Sequence, residues 1–266
     1  EVLEQAGHVC NLEAPQVFND VLAVFLDRFP DTLISVTKSK REMRREEKKN
    51  RILAAALTEF SAKGFEGASM NAIAETASVS KPTLYQYCGD KDHLFSAVLD
   101  VGRSHILTPL IDTQGSMVDR LWAFSWTYAE FVLRPDMLSL ARLILGEASR
   151  RPESAQAYHR AGPEKALAGL MQFVEERVAD GSLQADNVEF ATQDLWSLIL
   201  SGPRDYHLHF VNEAPSQDTL LSVIGHGLEV FLKVYSLNPN ADLAELSAKV
   251  NDKCDELVEQ DHHRST

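Results

Sequence analysis

Cysteine is scarce in this chain. Its 266 residues hold three, Cys10, Cys88 and Cys254, an odd and scattered set. They form neither a disulfide framework nor a C-x2-C zinc spacing. A reduced, cytoplasmic setting is the expectation that follows. No stretch approaches about 18 consecutive apolar residues, so no membrane span is expected. No basic segment precedes an apolar run at the N-terminus, so no secretory signal is expected either. No G-x-S-x-G occurs anywhere, which removes the nucleophile elbow a serine hydrolase of the α/β type would need. No segment alternates apolar and polar residues with period two over more than a few positions, which argues against a sheet. Internal repeats and low-complexity tracts are absent. No cofactor is expected, and no metal site.

What is present is a chain that is 44% hydrophobic and 24% charged, with a net charge of −13. Such an acid excess seems to exclude nucleic acid, but its distribution does not. Residues 1–37 carry a balance of −5, residues 38–100 a balance of +2, and residues 101–266 a balance of −10. Within 38–51 the run KSKREMRREEKKNR gathers Lys38, Lys40, Arg41, Arg44, Arg45, Lys48, Lys49 and Arg51. Affinity for DNA depends on the local field at the phosphates, not on whole-chain charge. Taken alone, the run reads more simply as a solvated helix face.

Helical periodicity dominates. Residues 15–29 place Val17, Phe18, Val21, Leu22, Phe25 and Phe29 at spacings of three and four, and Pro30 ends the run. From about 47 to 62, Ile52, Leu53, Ala56, Leu57 and Phe60 make an apolar stripe that Gly64 stops. Ser69 is placed to cap a helix over 70–76, and Ser80 to cap a short one over 81–87. Pro82 is tolerated there because the first turn has no intrahelical use for its missing N–H. Gly89 stops that helix. Asp90 caps the next, with Leu94, Phe95, Val98 and Val101 on its apolar side. Beyond it the expected helices are 117–133, 136–149, 152–161, 163–181, 186–201, 204–212 and 216–236, punctuated by Gly181, Gly202, Pro203 and Pro215. A last amphipathic stretch covers 241–260. The fold class is all-α.

Three short helices in succession, the last two joined by a tight turn, are a helix-turn-helix pattern. A short recognition helix fits the major groove of double-stranded DNA, and residues near its N-terminus reach base edges. Lys81 and Thr83 are placed for that. Tyr85 and Tyr87 offer phenolic O–H groups to phosphates, and Lys91 adds charge at a helix N-terminus. The stretch ILAAALTEFSAKGFEGASMNAIAETASVSKPTLYQYCGDKDHLF also closely resembles the DNA-binding domain of the TetR family. It matches A-x-x-x-F-x-x-x-G-F, then I-A-x-x-A-x-V-S, then T-L-Y-x-Y-x-x-x-K-x-x-L. The run RLILGEASRRPE resembles the AefR-like subset of that family.

The resemblance implies a basic arm and helix-turn-helix over 38–91, an effector-binding and dimerisation domain over 92–238, and a C-terminal helix and tail over 239–266. It places Ser69, Met70 and Asn71 at the groove edge, Lys81, Pro82, Thr83, Tyr85, Gln86 and Tyr87 on the recognition helix, and Lys91 at a phosphate. Lys48, in the basic arm, joins the DNA-binding set. Cys88 stands where the family usually has a packing Phe; a free, buried thiol is the simple reading, a redox sensor the sharper one. The resemblance further implies a homodimer through helices at about 186–201 and 216–236, a pseudo-palindromic operator, and repression relieved by an unknown small-molecule effector. Trp122, Trp126, Phe131, Met137, Phe173 and Trp196 are candidates to line its pocket, although ordinary core is the simpler reading for any one of them. His159, His207 and His209 are candidates to orient a polar ligand, with surface or satisfied histidines the simpler reading.

Residues 1–37 read differently. EQAGHVCNLEAPQVFNDVLAVFLDRF resembles the C-terminal end of an α/β-hydrolase of the enol-lactonase type, with His8 matching the triad histidine. Without a nucleophile elbow, a triad acid or the strands of the hydrolase sheet, catalysis is not expected. Two origins fit the segment: the C-terminal part of a longer hydrolase–regulator fusion, or a start within a decayed upstream gene.

Overall fold

Ser69, Ser80, Asp90, Ser116 and Ser216 each stand just before a helix and accept a hydrogen bond from a backbone N–H of its first turn. Such caps satisfy donors that the helix itself leaves open, and they set the starts of five of the helices. The computed structural model describes residues 40–112, 114–209 and 215–264. Eleven helices occupy these residues: α1 Lys40–Gly67, α2 Met70–Thr76, α3 Lys81–Cys88, α4 Lys91–Ile111, α5 Met117–Val132, α6 Pro135–Glu147, α7 Pro152–Ala161, α8 Pro163–Ala179, α9 Val188–His209, α10 Gln217–Tyr235 and α11 Pro239–Arg264. Among them is no strand, only an isolated bridge between Leu183 and Ser236. The chain divides into two units, 1–45 and 46–266. The hydrolase-like segment, its His8 and its expected helix at 15–29 lie outside the described residues.

Two apolar cores organise residues 46–266. The first gathers Ile52, Ala56 and Phe60 of α1, Ile73 and Ala74 of α2, Leu84 of α3, Leu94, Phe95, Val98 and Leu99 of α4, and Met137, Leu140 and Ile144 of α6. At its centre the rings of Phe60, Phe65 and Phe95 meet with centroids 5.0–6.0 Å apart. The second gathers Leu121, Phe124 and Ala129 of α5, Leu170, Phe173 and Val174 of α8, Leu195 and Ile199 of α9, Ile224, Leu228 and Phe231 of α10, and Leu246 and Leu257 of α11. Both cores draw on α4: its first half feeds one, and Ile106 and Leu110 feed the other. Among the described residues, α4 is the one helix long and apolar enough to cross a membrane by length and composition. Here its apolar side is spent on the two cores, and mid-helix Asp100 pairs with Arg103 at 3.1 Å and with Lys165 of α8 at 3.5 Å.

Small residues set two helix crossings. A Cβ on Gly102 would lie 2.0 Å from the ring of Phe131, and one on Gly227 would lie 2.5 Å from the Leu198 carbonyl. The second contact is with backbone, so α9 and α10 cross at a distance only glycine permits.

The expected break at Gly202-Pro203 is absent, and so is the boundary between 186–201 and 204–212. A single α9 runs through Pro203 to His209. Proline removes one hydrogen bond and crowds the preceding carbonyl, but packing on both sides of it outweighs that cost. Leu195, Ile199 and Leu200 are buried on the near side, and on the far side the His207 carbonyl accepts from Arg142 at 3.0 Å.

The start of α5 is tied to α11. Ser116 and Asp119 form a reciprocal capping box, with Ser116 Oγ accepting from Asp119 N at 2.9 Å and Asp119 Oδ2 accepting from Ser116 N at 3.0 Å. Lys249 pairs with Asp119, and Ser116 Oγ donates to Glu245. The Lys249 hydrogen bond, then the Ser116 backbone N–H, hold the Asp119 carboxyl below its ordinary value. A carboxyl so depressed stabilises the fold at any pH above its unfolded pKa of about 3.9 and loses that contribution as pH falls through the lower folded value. Thermal midpoints of wild type should therefore fall on acidification below about pH 4, and Asp119→Asn should flatten that limb. Parallel acid limbs in the two proteins would remove this pair from the account.

Candidate nucleic-acid interface

The α2–α3 unit is built on a tight turn. Ala77 N and Val79 N return to the Ile73 and Ala74 carbonyls, both at 2.9 Å, and Ser78 between them takes φ 53°. That left-handed conformation reverses the chain in three residues, at some steric cost to a residue with a Cβ. Ser80 then caps α3, accepting from Thr83 N at 3.3 Å, while its hydroxyl meets the Thr83 hydroxyl at 2.8 Å. Gly89, at φ 69°, ends α3 with its N–H on the Tyr85 carbonyl.

The α3 helix has only eight residues, and one of them anchors it. Leu84 is fully buried in the first core. Lys81, Pro82, Tyr85 and Gln86 all point to solvent, with Tyr85 43% exposed. Positions one, two, five and six of a helix form one continuous face. Asn71 of α2 is exposed as well, while Ser69, Met70 and Thr83 are half-buried. Ser69 also fixes the α1–α2 corner, its N–H donating to Glu59 Oε1 at 3.1 Å.

Two lysines are less free than their sequence positions suggest. Lys48 and Tyr87 are both half-buried, and the Lys48 ammonium sits 5.9 Å from the Tyr87 ring centre, tying α1 to α3. Lys91 donates to the Glu66 carbonyl at 3.0 Å and the Ala68 carbonyl at 3.3 Å, with the Phe65 ring 4.9 Å away. Two of its three N–H donors thus face the α1–α2 corner, so Lys91 clamps α4 to that corner whatever else its third proton meets. Cys88 is half-buried against the first core, and burial pushes its thiol pKa up despite nearby Lys49. That keeps the sulfur in the unreactive thiol form, which disfavours a redox role.

The candidate pocket residues separate into two groups. Phe131, Met137 and Trp196 line a cavity of about 160 Å3 between α4, α5, α6, α7, α8 and α9. Trp122, Trp126 and Phe173 do not. Trp122 and Trp126 stack edge to face, and Lys253 of α11 covers Trp126 at 5.2 Å. Phe173 is held between the guanidinium groups of Arg120 and Arg177, at 4.7 and 5.2 Å. The cavity instead takes Tyr128, Tyr158, Arg103 and Arg204, none of which periodicity singles out. His159 is exposed beside a shallow groove on α7, His209 Nδ1 lies 2.7 Å from the Asp205 carbonyl, and neither they nor His207 line the cavity. Among the described residues no three His, Cys, Asp or Glu side chains gather as a metal site would require.

Comparison with known proteins agrees with this architecture. Residues 52–98 match the family model of bacterial regulatory proteins of the TetR family, and residues 119–237 match the C-terminal domain of AefR-like transcriptional repressors. The chain is a TetR-family transcriptional regulator. Its family is one of regulators, not enzymes. The RutR regulator of Escherichia coli is 46% identical over 63 residues, 24% of this chain and 30% of RutR. The transcriptional activator FasR of Mycolicibacterium smegmatis is 44% identical over 55 residues, 21% of this chain and 25% of FasR. The chain thus spans under a third of the length of these curated relatives. A solved TetR-family regulator from Mesorhizobium loti is 27% identical, with a TM-score of 0.59, over 73% of this chain and 99% of its own. The family models leave residues 1–37 unmatched.

Proposed function

We propose that this TetR-family regulator is a homodimeric repressor that reads a pseudo-palindromic DNA operator through α3 and releases it when a small molecule fills the α4–α9 cavity. One observation carries the DNA-binding part: Lys81, Pro82, Tyr85 and Gln86 form a single exposed face on a short helix whose opposite side is pinned by Leu84. Such a helix presents base-reading and phosphate-reading groups together. Tyr87, Thr83 and the Ser69–Asn71 edge flank that face. The exposed arginines and lysines of the basic run, Arg44, Arg45, Lys49 and Arg51, supply field for the phosphates. On this reading the protein works in the cytoplasm.

Dimerisation is assigned to α9 and α10, which pack on each other and carry exposed Phe190, Tyr206 and Val234. Two recognition helices about 34–36 Å apart would then meet successive major grooves. Ligand response is supported by shared walls: Leu99 and Met137 line the cavity and also belong to the core beneath α3. A ligand that repacks them biases the spacing of the recognition helices, provided it binds the two states unequally. Repression is the sign favoured by the AefR-like match in the C-terminal half.

The test is binding to a selected operator by wild type, Lys91→Ala and Thr83→Ala. Lys91→Ala should weaken every DNA sequence alike and lower the thermal midpoint, since its clamp goes too. Thr83→Ala should relax preference at one base position, by about 1–3 kcal/mol of discrimination. Unchanged affinity and preference in both would remove α3 as the reading element.

A further inference from the structure

The chemistry of the cavity narrows its occupant, on the reading that the cavity is the effector site. Its interior is apolar and aromatic. Tyr128 and Trp196 lie with ring centres 4.4 Å apart, and Phe131 and Met137 complete the wall. A dry apolar cavity of this size accepts a single aromatic ring. Two polar features at one end are unspent. Tyr128 is 5% exposed, and its hydroxyl makes no hydrogen bond among the described residues. Arg204 borders the same cavity and has no carboxylate within ion-pair distance among the described residues, whereas Arg103 is committed to Asp100 at 3.1 Å. Arg204 also sits close enough to both cavity tyrosines, Tyr128 and Tyr158, to act on their hydroxyls electrostatically. A guanidinium bordering a low-dielectric pocket without an ion-pair partner is a ready carboxylate receptor, and a cavity-lining hydroxyl without a protein partner can take one from the ligand. Asp205 borders the cavity too, which disfavours a second negative charge.

We propose that the cavity binds a small aromatic monocarboxylate, its ring against Trp196, Phe131 and Met137 and its carboxylate on Arg204 and the Tyr128 hydroxyl. A neutral aromatic would fill the same space and leave Arg204 without its partner.

Calorimetric titration of the full chain with benzoate, and with benzyl alcohol as the neutral counterpart, tests this. Wild type should bind benzoate the more tightly. Arg204→Gln should weaken benzoate by about tenfold or more, equivalent to about 1.4 kcal/mol, and leave benzyl alcohol within about twofold. Arg204→Lys, which keeps the charge but not the fork, should recover part of the loss and guards against a folding defect in the glutamine variant. No benzoate binding by wild type, equal binding of the two probes, or an indifferent Arg204→Gln would each overturn the proposal. Operator binding measured alongside separates it from the reading it rests on. If benzyl alcohol releases DNA and benzoate does not, the carboxylate class falls and ligand response stands. If benzoate binds through Arg204 with DNA affinity unchanged, the carboxylate class stands and ligand response falls.

Discussion

Leu84→Ala is expected to cost the protein at least roughly tenfold to a hundredfold in operator affinity while most of its helix content survives. An eight-residue helix has no stability of its own in water, and α3 has one fully buried side chain to hold it. Truncating a buried leucine costs about 2–5 kcal/mol through lost burial and the cavity left behind. The capping residues Ser80 and Gly89 would still shape α3, but only the half-buried Tyr87 and Cys88 at its end would still hold it against the first core. The exposed face would then be presented by a mobile helix, and binding would carry the cost of ordering it. Fluorescence anisotropy with the operator at fixed salt reads the loss, and circular dichroism checks the helix content. An α3 that binds normally without Leu84 would show that it is anchored by something else.

Phe60→Ala should have the largest effect on stability, about 3–5 kcal/mol. The ring is fully buried, meets Phe95 edge to face at 5.0 Å and stacks on Phe65 at 6.0 Å. Removing it opens a void where α1, the α1–α2 corner and α4 converge, and edge-to-face geometry is lost with it. Phe60→Leu, which keeps most of the volume, should cost far less, about 1.5 kcal/mol or less. Urea unfolding of the three proteins checks the order. Equal midpoints for Phe60→Ala and wild type would mean that the three-ring cluster does not hold the first core together.

The DNA-binding half was legible because its signals are local. Ser69, Ser80, Asp90, Gly64 and Gly89 mark helix ends by caps and backbone freedom, and the spacing of Ile52, Ala56 and Phe60 gives the buried face of α1 directly. Gly64 does interrupt α1, at φ 71° and ψ 176°. The cavity was harder to read because it depends on how six helices are rotated against one another. Reading Gly202-Pro203 as a break detached Arg204 from α9 and so hid it as a pocket residue. Trp122 and Trp126 look like pocket aromatics in sequence, yet they pair with each other and Lys253 of α11 covers Trp126, and nothing in their own spacing announces that cover. The Lys91 clamp was invisible for a related reason: its acceptors are backbone carbonyls of residues 66 and 68, which carry no sequence signature.

On the proposed reading an acidic protein binds DNA sequence-specifically through a local basic and aromatic face. Selection of bound fragments from a random duplex pool, followed by titration of the winner at increasing salt, tests it most directly. A two-fold related consensus bound by two chains is expected, with affinity falling linearly in log–log form as salt rises. Failure to enrich any sequence, or an affinity indifferent to salt, would contradict it.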